Sequence, residues 1–185
     1  MTDPLLIETA TRAFAATATP QAVEQAETDR WAAKMWAAAA EIGLPWISVP
    51  ESAGGAGGSV ADAVAVLGVA GSYAVPLPLA ETGLLAGWLL ACAGLQVGDG
   101  PATVVPPAAA GDLGLQGGRL YGQAHRVPWA AAADRIVALV DDQVVVVPPG
   151  AAQIEPGSNL AGEPRDTVTF DGAAVEAAVP LSALS

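Results

Sequence analysis

The sequence predicts an α+β fold in two parts. An all-helical domain over residues 1–100 is followed by a small antiparallel β-sheet or barrel domain over residues 101–185. Three observations predict it. Up to about residue 98 the apolar side chains recur at helical intervals, as in Trp31, Met35, Ala38 and Ile42. Beyond that point short valine- and leucine-rich runs alternate with Gly, Pro and Asp pairs, the pattern of closely spaced short strands. A chain of 185 residues is also long enough for one domain or two small ones, with a core.

Element by element, a first helix is expected over Leu5 to Thr17 and a second over Gln21 to Ile42. Gly43 sits where a helix end calls for a left-handed residue, and Pro45 prevents a restart. Trp46 to Pro50 reads as a short extended link leading into the glycine run Gly54-Gly55-Ala56-Gly57-Gly58. Ser59, with Asp62 three residues on, is a capping signal for a third helix that carries Val60, Val64, Leu67 and Gly71 on one face. After Pro76 and Pro78 a last helix is expected from Leu79 to Leu95. In the second half, Leu113 and Leu115 pair with Leu120 around Gly117-Gly118, and Arg135–Val140 pairs with Gln143–Val147 around Asp141-Asp142. Thr167 to Phe170 is a further strand, closed by Asp171-Gly172.

Composition narrows the function. Seven Lys+Arg stand against nineteen Asp+Glu, for a net charge of −12. Lys34 is the single lysine, so the chain is unsuited to a phosphate backbone or an anionic membrane surface, and nucleic acid is excluded as a partner. Apolar residues make up 52 %, but 42 of the 185 are alanine, so small side chains dominate. The uncharged stretch Ala63 to Ala80 is broken by Pro76 and Pro78, and Thr82 to Gly98 is glycine-rich and short for a span. The N-terminus has no basic region of the secretory kind. A cytoplasmic protein without membrane attachment is therefore expected. Cys92 and His125, one of each, exclude an internal disulfide and the usual zinc clusters, so no metal site is expected.

The local motifs say little alone. The glycine run has Gly58 where a phosphate loop needs lysine, and Val60 where a dinucleotide fingerprint needs a small residue; a tight turn feeding a capped helix accounts for it. A serine nucleophile could draw only on His125, and no serine sits in a nucleophile elbow. Cys92, among Leu89, Leu90 and Leu95, reads as a structural thiol. Glu81 is the only charge between Asp62 and Asp99, which fits either a solvated helix face or a carboxylate lining an internal pocket. Trp129, on a Pro-Trp-Ala link after a strand, is the tryptophan that could face a planar cofactor.

The serial order of motifs carries further. Glu41-Ile42-Gly43-Leu44-Pro45, Val49-Pro50-Glu51 with the glycine run, and Val75-Pro76-Leu77-Pro78-Leu79-Ala80-Glu81-Thr82 resemble the N-terminal helical domain of acyl-CoA dehydrogenases. Gly118-Arg119-Leu120, Val127-Pro128-Trp129, Ala133-Asp134-Arg135, Pro156-Gly157 and Leu160-Ala161-Gly162 are similar to that family's middle β-domain. The resemblance implies a flavoenzyme that binds FAD and α,β-dehydrogenates an acyl-CoA thioester, with a role in fatty-acid or lipid breakdown. It places Glu81, Thr82 and Leu85 on the helix lining the acyl pocket, and Arg126, Val127, Pro128 and Trp129 on the strand passing the flavin ring. Many members carry an aromatic and a threonine on that strand, where this chain has Arg126 and Pro128; proline offers neither a hydroxyl nor an N–H. The segment Thr103 to Asp112 reads TVVPPAAAGD, without the Glu and Ser common in the family. The family's C-terminal helical bundle, with its catalytic glutamate, has no counterpart in residues 1–185, so no catalytic residue is assigned. Two expectations follow: a truncated or split acyl-CoA dehydrogenase, or a non-catalytic partner subunit of a heteromeric one. In either, a homologous subunit or self-association completes the assembly, and an apolar helical face is exposed for docking. An acidic binding module unrelated to redox chemistry is the third reading, resting on net charge alone.

Overall fold

The computed structural model describes residues 3–106 and 111–181. Helices fill the first half. α1 (Pro4–Thr17) and α2 (Pro20–Asp29) each start at proline behind a capping side chain: Asp3 accepts from the Leu5 N–H at 2.9 Å, and Thr19 from the Ala22 N–H at 3.2 Å. α3 (Ala33–Glu41) follows. The single helix predicted over Gln21 to Ile42 is thus two, broken at Arg30, whose backbone is left-handed with φ 58°. The cause is tertiary, since the Arg30 guanidinium is held by Gly157 and Asp166 in the second half of the chain. Helical periodicity cannot register such a pull. The buried face of α3 is Met35, Trp36 and Ala39, with Ile42 at the surface.

Trp46 to Pro50, expected to be extended, is instead coiled through a 3-10 turn at Leu44–Trp46. The coil lets the glycine run lie on it: Gly57 donates to the Val49 carbonyl at 2.8 Å and Gly58 to the Ile47 carbonyl at 2.7 Å. A Cβ on Gly55 would collide with the Val49 carbonyl, so this glycine is required for close approach. α4 (Val60–Ser72) opens with the predicted capping box, Ser59 and Asp62 bonding reciprocally. Its buried residues are Ala63, Val66 and Ala70; the expected stripe turns outward, with Val60 and Val64 exposed. Small residues face inward because α4 lies close against α1 and the last helix. That last helix is a π-helical segment, Ala80–Gly87, running into a short α5 (Trp88–Cys92).

The second half forms two four-stranded sheets. The first, in the order β1-β4-β5-β8, contains β1 (Ala102–Val104), β4 (Arg135–Val140), β5 (Gln143–Val147) and β8 (Ala177–Pro180). The second, in the order β2-β3-β7-β6, contains β2 (Gly114–Gln116), β3 (Arg119–Pro128), β6 (Gln153–Glu155) and β7 (Arg165–Ala174). Both predicted hairpins form, with positive φ at Gly117, Gly118, Asp141 and Asp142. The pairing is not wholly antiparallel, because β1 runs parallel to β4 with Thr103 opposite Ile136. β7 continues past Asp171-Gly172, where an irregularity in its pairing with β3 absorbs the turn-like glycine.

The first sheet is buried on both faces along β5 and most of β4, with Leu139, Ala178 and Pro180 exposed. Val137, Val144 and Val146 pack into the helical core with Phe14, Val66 and Leu90. Their neighbours Ile136, Ala138, Val140, Val145 and Val147 face the second sheet and meet Leu120, Val127, Val168 and Phe170. This alternation explains the unbroken valine run of β5, which has no wet face. Trp36 stands between Trp31 and Trp46, edge-on to the latter at 5.8 Å between centroids. The buried indole N–H of Trp46 has no conventional acceptor among the described residues.

Candidate functional site

The π-helical segment is set by its neighbours on two sides. Proline at 76 and 78 ends the preceding chain, and Thr82 donates its N–H to the Pro78 carbonyl at 2.9 Å. Gly83 sits where a Cβ would collide with the Pro45 carbonyl, and at Gly87 a Cβ would come within 2.6 Å of Val49. On the other side the Thr82 hydroxyl, itself buried, donates to the Ala102 carbonyl and accepts from the Ala102 N–H, both at 3.1 Å. The helix is thereby pinned to the 44–49 coil and to β1. π-turns of this kind recur at functional sites because they re-aim side chains within a helix.

Of the three residues the resemblance places on this helix, Thr82 is buried and doubly bonded, while Glu81 is half-buried and Leu85 is 47 % exposed. Trp88 lies one turn beyond Leu85 and is 58 % exposed. Burial pushes the Glu81 carboxyl above the usual carboxylate range; its own backbone N–H and the Arg165 guanidinium oppose the rise, and Glu163 adds to it. Glu163 in turn bonds Asn159 at 2.7 Å and Arg165 at 3.1 Å. The Glu81 carboxyl thus feels a guanidinium and a second carboxylate from the β-half of the chain.

The residues at the end of β3 are arranged differently. Arg126 occupies a bulge with φ 57°, its side chain exposed. Val127 is fully buried between the sheets. The Pro128 carbonyl accepts the Thr103 hydroxyl at 2.5 Å. Trp129 is 4 % exposed; its backbone N–H donates to the Pro164 carbonyl, and the Arg165 guanidinium lies 5.3 Å from its ring centroid. The fold therefore does not gather the seven predicted residues into one open cleft. His125, on the outer face, is exposed and stands 3.4 Å from the Thr167 hydroxyl. Cys92 is a half-buried free thiol. Residues 107–110 of the Thr103 to Asp112 segment lie outside the described residues.

Sequence reasoning overlooked Asp166. It is fully buried and accepts from Arg30 at 2.6 Å, the Gly157 N–H at 3.2 Å and the Ala131 N–H at 3.1 Å. Beside this clasp a groove of about 290 Å³ opens between α2 and the 161–164 loop, walled by Trp31, Val75, Pro76, Trp129 and Pro164. An aspartate after an arginine on a β-strand carries no local signal of such a role.

A helical domain pinned by glycines to its own coil, laid over a sheet shared with a β-sandwich, defines the class of protein. The description "Acyl-CoA dehydrogenase, N-terminal domain" matches residues 3–96, half of the chain. The chain belongs to the acyl-CoA dehydrogenase family. Solved structures agree on the fold. A variant of the Tcur3481-Tcur3483 steroid ACAD superposes over 97 % of this chain and 57 % of its own, with a TM-score of 0.78 and 24 % identity. The ChsE4-ChsE5 complex from Mycobacterium tuberculosis covers 93 % and 54 %, with a TM-score of 0.78 and 23 % identity. A glutaryl-CoA dehydrogenase from Mycobacterium smegmatis in complex with FADH2 covers 98 % and 55 %, with a TM-score of 0.72 and 14 % identity. The chain thus spans a little over half the length of these relatives. No curated protein matches it in sequence. Among the described residues no helix is long and apolar enough to cross a membrane.

Proposed function

We propose that the chain is a subunit of an acyl-CoA dehydrogenase-type flavoenzyme, furnishing the helical and β-domain walls of an assembly that α,β-dehydrogenates an acyl-CoA thioester. The observation that carries this reading is the last helix, in a chain of this family. Gly83 and Gly87 fix it, Thr82 pins it, and Leu85 and Trp88 stand on its open side with Glu81 one turn before. Leu85 and Trp88 offer apolar area to an acyl chain, and covering the part still exposed is worth on the order of 1 kcal/mol each. Burial raises the Glu81 pKa, which lowers the cost of placing its carboxyl beside that chain. FAD supplies the hydride acceptor when bound in the assembly.

A second reading is a non-catalytic partner subunit of a heteromeric enzyme. The enclosed end of β3 favours it, and two of the structural neighbours are named as two-component proteins.

The test is to tag the chain, recover it with whatever it binds from its own cells, and add acyl-CoA thioesters of several chain types under anaerobic conditions. Bleaching of flavin absorbance near 450 nm, on the order of one reduction per flavin, is the expected result. A flavin-containing complex that no acyl-CoA bleaches would sink the proposal.

A further inference from the structure

We infer that the end of β3 is a closed brace, so that FAD in the assembly is held without ring contacts from Arg126, Val127, Pro128 or Trp129. This rests on the acyl-CoA dehydrogenase-type reading above and concerns which strand the isoalloxazine leaves untouched. An isoalloxazine needs a flat open face to stack on and polar groups free to meet its edge. Val127 lies wholly between the two sheets. Pro128 has no N–H to give, and its carbonyl already accepts the Thr103 hydroxyl. Trp129 has the right shape, but it is 4 % exposed, its backbone N–H is bound to the Pro164 carbonyl, and the Arg165 guanidinium lies over its ring. Its visible edge lines the groove toward Trp31 and Pro76. Of the four, Arg126 alone is open, and it sits on a left-handed bulge as a flexible cation and not a flat surface.

The same contacts have a structural purpose. Thr103 belongs to β1 and Pro128 to β3, so their hydrogen bond ties one sheet to the other. Arg165 and Pro164 then close Trp129 from β7 and the loop before it. Opening the strand end to a ring would break the tie between sheets and strip the cover from the indole.

The experiment has three readouts. The chain alone is titrated with FAD while flavin fluorescence is followed, and no saturable quenching is expected. The complex recovered from native cells is compared as wild type, Arg126→Ala and Thr103→Val. Flavin per mole and FAD affinity are expected to stay within about twofold in both variants, while Thr103→Val melts several degrees lower because its brace is cut. A tenfold or greater loss of FAD affinity in Arg126→Ala at unchanged melting temperature would overturn the inference, as would stoichiometric FAD binding by the chain alone. A complex that is colourless and takes up no FAD would instead overturn the enzyme reading, and the titration of the chain still decides for or against the brace.

Discussion

Two carboxylates behave in opposite ways at the seam between the halves. Asp166 is fully buried yet answered by three donors, so its removal leaves Arg30 and two backbone N–H groups without their acceptor. Asp166→Ala is expected to cost about 3 kcal/mol, read as a lower midpoint in urea. Glu81 is half-buried and poorly answered, and its folded-state pKa is raised. A carboxyl of this kind contributes stability that is complete below its unfolded pKa and is lost as pH rises through the folded one. Glu81→Gln is therefore expected to flatten the fall in stability above about pH 4.5 (an ordinary carboxyl value), seen by comparing melting temperatures of both proteins from pH 4 to 8. An unchanged slope would refute it. At this scale the sequence was informative where a charge stood out from apolar surroundings, as with Glu81. It was silent on Asp166 and Arg30, whose roles exist only because 136 positions of chain bring them together.

Among the elements, local chemistry was readable and tertiary placement was not. The Ser59 cap was written in adjacent residues and formed as expected; Ser59→Ala should cost about 1 kcal/mol of thermal stability. The hairpins at Gly117-Gly118 and Asp141-Asp142 were equally local. The α2–α3 break and the inward face of α4 were not, since each depends on what lies opposite. Period-matching picks the larger apolar side chains for the core. α4 instead buries alanines and one valine, because a helix that packs close has room only for small groups. The π-segment follows the same logic: Gly83→Ala places a methyl against the Pro45 carbonyl and is expected to destabilise by about 1–3 kcal/mol, measured by chemical denaturation. Gly68→Ala on α4, where nothing lies within 4 Å, is the control and should be neutral or stabilising.

For the whole molecule, the first sheet belongs to two cores at once. A boundary near residue 100 marks a change of chemistry along the chain, but Val137, Val144 and Val146 complete the helical core from beyond it. Val144→Ala is therefore expected to cost about 2 kcal/mol. The helical signal at 222 nm and the tryptophan fluorescence should then shift to the same lower midpoint. Separate midpoints would mean that the halves unfold independently.

The shared sheet also bears on how the chain is born. A ribosome delivers the five helices first, and their apolar underside has to wait until the Gln143–Val147 strand has left the exit tunnel before it is covered. At ordinary elongation rates of about 5–20 residues per second that wait lasts several seconds. During it the nascent chain presents a sticky surface of alanine, leucine and tryptophan to its surroundings. Chaperone demand in the cell should therefore fall steeply once Val147 has cleared the tunnel, and ribosome-bound chains halted with that strand still inside or already outside it would differ sharply in resistance to protease.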